Sequence, residues 1–441
     1  MMKDLEFLEH VIDQKSQMIL DANDRIWEYA ELAYHETRSA DLLCQILKDE
    51  GFSVTTGDAG IPTCFTGTFS YGSGKPVMGI LGEYDALSSL SQKAASPRKE
   101  PVEAGAPGHG CGHSALGTGS LAAVLAVKEY LVENKKDGTI IYFGCPAEEG
   151  AGSKQFMARA GMFDNVDFVY TWHPATINAV ECNHSNAIMG ANFEFKGVSS
   201  HAGGSPEAGK NALYAATCGL NAVNAIRETF VDGEHIRFHP IITEGGAAVN
   251  AIPETAKVES YVRGASFDSI RDYNKKVNLA LAGAAASLGC NVELDDHPGY
   301  FPLNNDTNMT EILTEAMEAV TGPGTVTRGA WGTGCTDMGD VSAIMPAIHP
   351  HASGSIGTGH GKDYYVADKK AGCLYPAQCL TVAASMLLEN DAARAKKVLA
   401  EAKPYFKSKE EYLAAIDNLT MDKDAVIYNE DGTVTLDFCQ R

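Results

Sequence analysis

Apolar residues recur at helical spacing from Leu5 to about Gly51, with Ile19, Ile26, Tyr29 and Leu32 followed by Ala40, Leu43, Ile46 and Leu47, and this predicts two helices. Short, largely apolar runs follow at 65–69, 77–84 and 139–144, with glycine or proline close behind, which is the pattern of strands. Between the last two lies 114–134, a long stretch of helix formers, and a further strand is expected at 166–172. Strands alternating with helices predict an α/β sheet, covered on both faces where the runs are apolar throughout.

The pattern changes near residue 187. A strand at 188–195, a helix at 210–227, strands at 235–244 and 256–264, a helix at 268–288 and a strand at 291–295 give the order βαββαβ, that of ferredoxin-like modules. The α/β character returns after Pro298, with a helix at 309–320, a strand near 343–348 and a helix at 374–388. The expected architecture is a discontinuous α/β domain, 1–187 and 298–441, interrupted by a small domain at 188–297. The charged tail from about 391 to 441 carries no legible role.

Composition narrows the class. The 57 acidic side chains against 35 basic ones leave a formal net charge of -22, which argues against nucleic-acid and anionic-membrane partners. Eleven scattered cysteines without a CxxC pair suit free thiols in a reducing compartment. No signal peptide and no run of about 18 apolar residues is legible, so a cytoplasmic protein without a membrane span is expected.

Open α/β sheets place ligands at the carboxyl ends of their strands. Here those ends are rich in donors: Asp85 after the run at 77–84, Glu148 and Glu149 after 139–144, His173 after 166–172, and His349, His351 and His360 after the strand near 348. A loop of alternating glycines adds His109, Cys111 and His113. Taken singly, each has a bland reading: a solvated acidic pair, a structural histidine, a flexible turn. Imidazole, thiolate and carboxylate brought to one sheet edge are instead the donor set of a zinc or manganese site.

The sequences Gly82-Glu83-Tyr84-Asp85-Ala86-Leu87, Gly108-His109-Gly110-Cys111-Gly112-His113, Pro146-Ala147-Glu148-Glu149-Gly150, Gly197-Val198-Ser199-Ser200-His201-Ala202-Gly203, Gly245-Gly246-Ala247-Ala248-Val249-Asn250-Ala251-Ile252-Pro253 and Gly357-Thr358-Gly359-His360 run in one order over most of the chain. In these motifs the chain resembles the amidohydrolase branch of the aminoacylase and glutamate-carboxypeptidase family of dinuclear metallopeptidases. The resemblance implies a mixed-sheet α/β catalytic domain of zinc-exopeptidase type with a ferredoxin-like lid or dimerisation domain inserted. It implies two divalent metal ions, zinc or manganese, with Cys111 bridging them and His113, Glu149, His173 and His360 completing the coordination. Asp85 would orient a ligand. Glu83 stands where the wider family often has histidine and is left unassigned.

The implied reaction is hydrolysis of a small amide bearing a carboxylate: an N-acyl amino acid, aminobenzoyl-glutamate or a dipeptide. Glu148 would be the general base, taking a proton from the attacking water and handing it to the leaving amine. His201, in the inserted domain, would stabilise the oxyanion, commonly across a dimer. Asn250 and Arg263 would hold the substrate carbonyl and carboxylate, Arg through its planar fork, and Asp337 belongs to a late acidic motif near the substrate. Asn250 capping a turn and Arg263 in a rim ion pair remain open. A homodimer is implied, a heteromeric partner being the alternative. No G-x-S-x-G elbow, phosphate loop or GxGxxG fingerprint is present, so the competing class is a non-catalytic or partner-dependent subunit of a hetero-oligomeric hydrolase.

Overall fold

The computed structural model describes residues 2–93, 100–150, 152–181, 185–329 and 331–439. The chain divides into two units, one of residues 1–184, 303–332 and 336–409, the other of 185–302, 333–335 and 410–441.

In the first unit a six-stranded mixed sheet runs in the order Ser53–Thr56, Phe65–Tyr71, Gly138–Cys145, Val77–Glu83, Phe168–Tyr170, Ala347–Ile348. Its central pairs, Val77–Glu83 with Gly138–Cys145 and with Phe168–Tyr170, are parallel, so their carboxyl ends lie on one edge. The strands are nearly wholly apolar because helices cover them. The helix His113–Glu133 is apolar on every side and buried along most of its length, since it packs on the sheet and against the helices Met2–Tyr29 and Tyr375–Glu401. Gly117 lets it settle on the strand end: a Cβ there would stand 2.5 Å from the carbonyl oxygen of Glu83. A second sheet of the same unit orders Thr327–Gly329, Ala179–Glu181, His351–Ser353 and His173–Ala175, and registers His351 beside His173.

The second unit has an antiparallel sheet in the order Met421–Asp424, Asn291–Pro298, Ala187–Lys196, Thr255–Gly264, Arg237–Glu244. Helices Ala212–Ile226 and Phe267–Ser287 pack on it, in the expected βαββαβ succession. Each helix starts with a side-chain cap, Asn211 accepting from the Tyr214 N–H and Ser266 from the Ser269 N–H.

Three features depart from the sequence reading. The tail, assigned there to the catalytic domain, divides: from 410 onward it joins the second unit, where Met421–Asp424 pairs antiparallel with Asp296 to Glu293 and the fully buried Tyr412 packs on Phe301. Only Ala347–Ile348 forms a strand in the stretch 343–348, because the preceding Met338–Ser342 turns into a short helix. Two helices, His113–Glu133 and Lys370–Glu401, do have the length and composition to cross a bilayer, but 83% and 89% of their most apolar windows are buried within the fold. Core burial accounts for their composition.

Candidate metal centre

The site forms where the carboxyl ends of Val77–Glu83 and Gly138–Cys145 meet the start of the helix His113–Glu133. Gly112 caps that helix at φ 82°, and a Cβ on it would lie 2.3 Å from the Tyr364 hydroxyl, so only glycine lets Cys111 and His113 face the same space. Asp85, buried just past its strand, accepts the His113 Nδ1–H at 2.8 Å through one oxygen and the Glu149 N–H at 2.8 Å through the other. That contact fixes the ring of His113 with Nε2 directed into the site, and although burial opposes it, the charges of Cys111 and Asp85 hold His113 well above the ordinary imidazole value, so a bound cation would displace a proton from Nε2. His173 is set the same way: its Nδ1–H donates to the Pro174 carbonyl at 2.9 Å, and its Nε2 lies 3.4 Å from the Cys111 sulfur.

Two groups of donor atoms follow, each with its atoms within 4.8 Å of one another: Cys111, His113 and His173, and Cys111, Glu149 and His360. Cys111 belongs to both. His360, more than half exposed and at φ 61°, places Nε2 3.5 Å from Glu149 Oε1, while its own N–H donates to the Gly110 carbonyl at 2.9 Å. All five residues expected as ligands are therefore gathered in two triads sharing one sulfur. A third triad, Glu83, His113 and Glu148, also meets the 4.8 Å limit. Glu148 places Oε2 3.9 Å from His113 Nε2.

The electrostatics fit a cation. His113 Nε2, Glu83 Oε2 and Glu149 Oε1 are buried with no hydrogen-bond partner, a costly arrangement unless something positive satisfies them. Burial pushes the Cys111 thiol up to about 12 and raises the Glu149 and Glu148 carboxyls, the latter well above the ordinary range with help from the charges of Glu83 and Asp337. Burial drives His173 down to about 3, assisted by His351 and His113, which keeps its imidazole neutral and able to donate a lone pair. The anionic groups thus hold protons that a divalent ion would displace.

Two residues of the site were not foreseen, Lys154 and Glu36, and two that the sequence singled out, Asp337 and His109, are placed otherwise than expected. Lys154, fully buried, donates to Glu83 Oε1 at 2.7 Å and to Asp337 Oδ1, making a buried carboxylate–ammonium–carboxylate chain. Asp337, expected at the substrate, is instead fully buried, with its second oxygen accepting the Lys154 N–H at 3.2 Å. Glu36 accepts the Ala147 and Tyr34 N–H groups, each at 2.9 Å, and so pins the left-handed residue before Glu148. His109, in the same loop as the ligands, turns away to the Ile26 carbonyl at 3.0 Å.

The remaining candidates lie in the second unit. His201 is exposed; its Nδ1 accepts from the Gly203 and Gly204 N–H groups at 3.1 and 2.9 Å, so in the neutral ring Nε2 carries the proton outward. The Asn250 carbonyl accepts the Ala202 N–H at 2.9 Å, tying the two glycine-rich motifs together, and the Asn250 side chain is exposed. Arg263 is engaged by its own unit, Nε to His239 at 3.2 Å and Nη1 to the Cys335 sulfur at 3.0 Å.

Comparison with known proteins gives the same direction. Residues 79–376 match the model of peptidase family M20/M25/M40. The chain is 38% identical over 288 residues to one of the subunits of p-aminobenzoyl-glutamate hydrolase from Escherichia coli strain K12, covering 65% of this chain and 59% of the relative's length. It is 29% identical over 357 residues to Xaa-Arg dipeptidase of Mus musculus, covering 77% of each. Among solved structures it superimposes on an aminobenzoyl-glutamate utilization protein from Klebsiella pneumoniae with a TM-score of 0.65 at 20% identity, covering 87% of this chain and 99% of that one. A dinuclear metal binding peptidase of the M20 family from Bacillus subtilis gives 0.64 at 18% identity, covering 85% and 98%.

Proposed function

The chain belongs to peptidase family M20/M25/M40, and from that premise we propose that it is a metal-dependent amidohydrolase acting on a small amide that carries a free carboxylate. The observation that carries the reading is the pair of donor triads sharing Cys111, with Glu148 beside them. We assign one ion to Cys111, His113 and His173 and the other to Cys111, Glu149 and His360. Bound zinc or manganese supplies Lewis acidity that polarises the amide carbonyl and acidifies water.

The chain's own residues do the rest. Asp85 holds His113 and the Glu149 backbone together, so the two triads keep a fixed separation. Glu148 accepts the proton of the attacking water and returns it to the leaving nitrogen, its Oε2 lying 3.9 Å from His113 Nε2 beside the first triad. His201, with its Nε2–H free to donate, is assigned to the oxyanion, a contribution of roughly 3–4 kcal/mol to the transition state. Asn250 and Arg263 are assigned to the substrate carbonyl and carboxylate, Arg263 exchanging its Cys335 contact for the ligand. The substrate class, an N-acyl amino acid, aminobenzoyl-glutamate or a dipeptide, draws support from the hydrolase and dipeptidase that the chain is similar to. A reducing cytoplasm suits a working Cys111 thiolate, and no disulfide joins any of the ten described cysteines.

The test is Glu148→Gln, which should keep near-normal metal content and lose nearly all turnover; an active variant overturns the assignment. His201→Ala should lower kcat with metal content unchanged, whereas a change confined to KM contradicts its role. A second reading, a chain that needs a heteromeric partner, is favoured by the Escherichia coli relative, which is one subunit of its hydrolase. Purified chain reconstituted with zinc or with manganese and screened against acyl-amino acids and dipeptides separates the two. Hydrolysis by the chain alone supports the homomeric enzyme, and hydrolysis of no substrate supports the partner-dependent one.

A further inference from the structure

The third donor triad lies outside the pair that shares Cys111. We infer that Glu83, His113 and Glu148 form an alternative position for a hard divalent cation, exclusive of the Cys111, His113 and His173 position and incompatible with turnover while filled. Their donor atoms lie within 4.8 Å of one another, and Glu83 Oε2 stands 3.3 Å from His113 Nε2. Both of these atoms are buried and lack a hydrogen-bond partner. Since Nδ1 of His113 is committed to Asp85, Nε2 has a single lone pair and can serve one ion at a time.

Charge and donor type favour such an occupant. Three carboxyl groups, those of Glu83, Glu148 and Asp337, share a largely buried space with the ammonium of Lys154 and the imidazole of His113, so acidic groups outnumber the one fixed cation there. Lys154 occupies Glu83 Oε1 and thereby leaves Oε2 turned to the imidazole. Two carboxylates and one imidazole, without sulfur, suit manganese or magnesium better than an ion that prefers thiolate. Resting on the reading of Glu148 as the base, the consequence is that an ion held here occupies the proton acceptor and removes His113 from the Cys111 pair. The same chain then has an active and an inactive loading, chosen by which ion reaches His113 and by whether Cys111 is a free thiolate.

The experiment is equilibrium dialysis of manganese against the full chain, free ion being read by electron paramagnetic resonance. Cys111→Ala breaks both sulfur-containing triads and leaves this one complete, so the variant should still bind about one manganese per chain. Adding Glu83→Gln should weaken that binding at least tenfold, and so should adding Glu148→Gln, which does not touch Lys154 and serves if the Glu83 variant fails to fold by circular dichroism. A folded Cys111→Ala chain that binds no manganese, or binds it with affinity unchanged by the added substitutions, overturns the inference. In the wild-type chain, cobalt with a sulfur-to-metal charge-transfer band lost in Cys111→Ala reports the Cys111 pair separately. The absence of that band sinks the two-ion reading and leaves the manganese result to decide this one.

Discussion

At the scale of single residues, the most consequential side chain is one that touches no substrate. Asp85 has one oxygen on His113 and the other on the Glu149 backbone, so it fixes a ring orientation and a spacing at once. Asp85→Ala should lower metal affinity about 10–100-fold while the chain stays folded, as measured by competition with a chelator. Asp85 was legible in the sequence because it closes an apolar run at a strand end, where sheets present chemistry, while the five candidate ligands were picked out from the wider donor set by the family resemblance. Lys154 was not legible. A lysine is tolerated with no exposed surface only if carboxylates meet it, and those carboxylates lie 71 and 183 positions away. Glu36 escaped notice for the same reason, its partner Ala147 being 111 residues distant.

At the scale of elements, the helix His113–Glu133 is placed by contact with a strand end, and Gly117 is the point of closest approach. Gly117→Ala should push the helix off Glu83, destabilise the chain by about 1–3 kcal/mol and weaken metal binding, read together by urea unfolding and chelator competition. In the second unit the helix Phe267–Ser287 is tied to the strand Asn291–Pro298 by a buried acid: Asn274 and Asn278, one turn apart, donate to Asp296 Oδ2 at 2.7 and 2.8 Å. Burial raises Asp296 from 3.8 to about 6, the two amides opposing it. The folded state therefore holds this proton more tightly than the unfolded one, so its stabilising effect is present below about pH 4 and is lost as pH rises through 6. Asp296→Asn should remove that slope, worth about 3 kcal/mol at most, in melting curves taken across the window.

At the scale of the whole molecule, two units are assembled from six stretches of chain, and the last stretch belongs with the sheet rather than with the helix that precedes it. Truncation after residue 409 should strip the edge from Asn291–Pro298 and uncover the surface buried by Tyr412 and Met421. The expected loss is about 2–5 kcal/mol in the second unit, with metal content of the first retained; thermal unfolding followed alongside metal analysis checks both. The sequence could not reveal this pairing, since a short edge strand such as Met421–Asp424, with the polar sequence MDKD, has no periodic signal of its own. What the sequence determined by itself was the order of elements, the inserted βαββαβ unit and the donor set. Apolar period and donor chemistry are properties of neighbouring residues. What only the tertiary structure decided was which donors share Cys111, that Glu83 joins His113 and Glu148, and that Asp337 is sealed against Lys154. Those are distances between residues far apart in the chain, settled by how helices and strand ends pack and by the need of every buried charge for a partner.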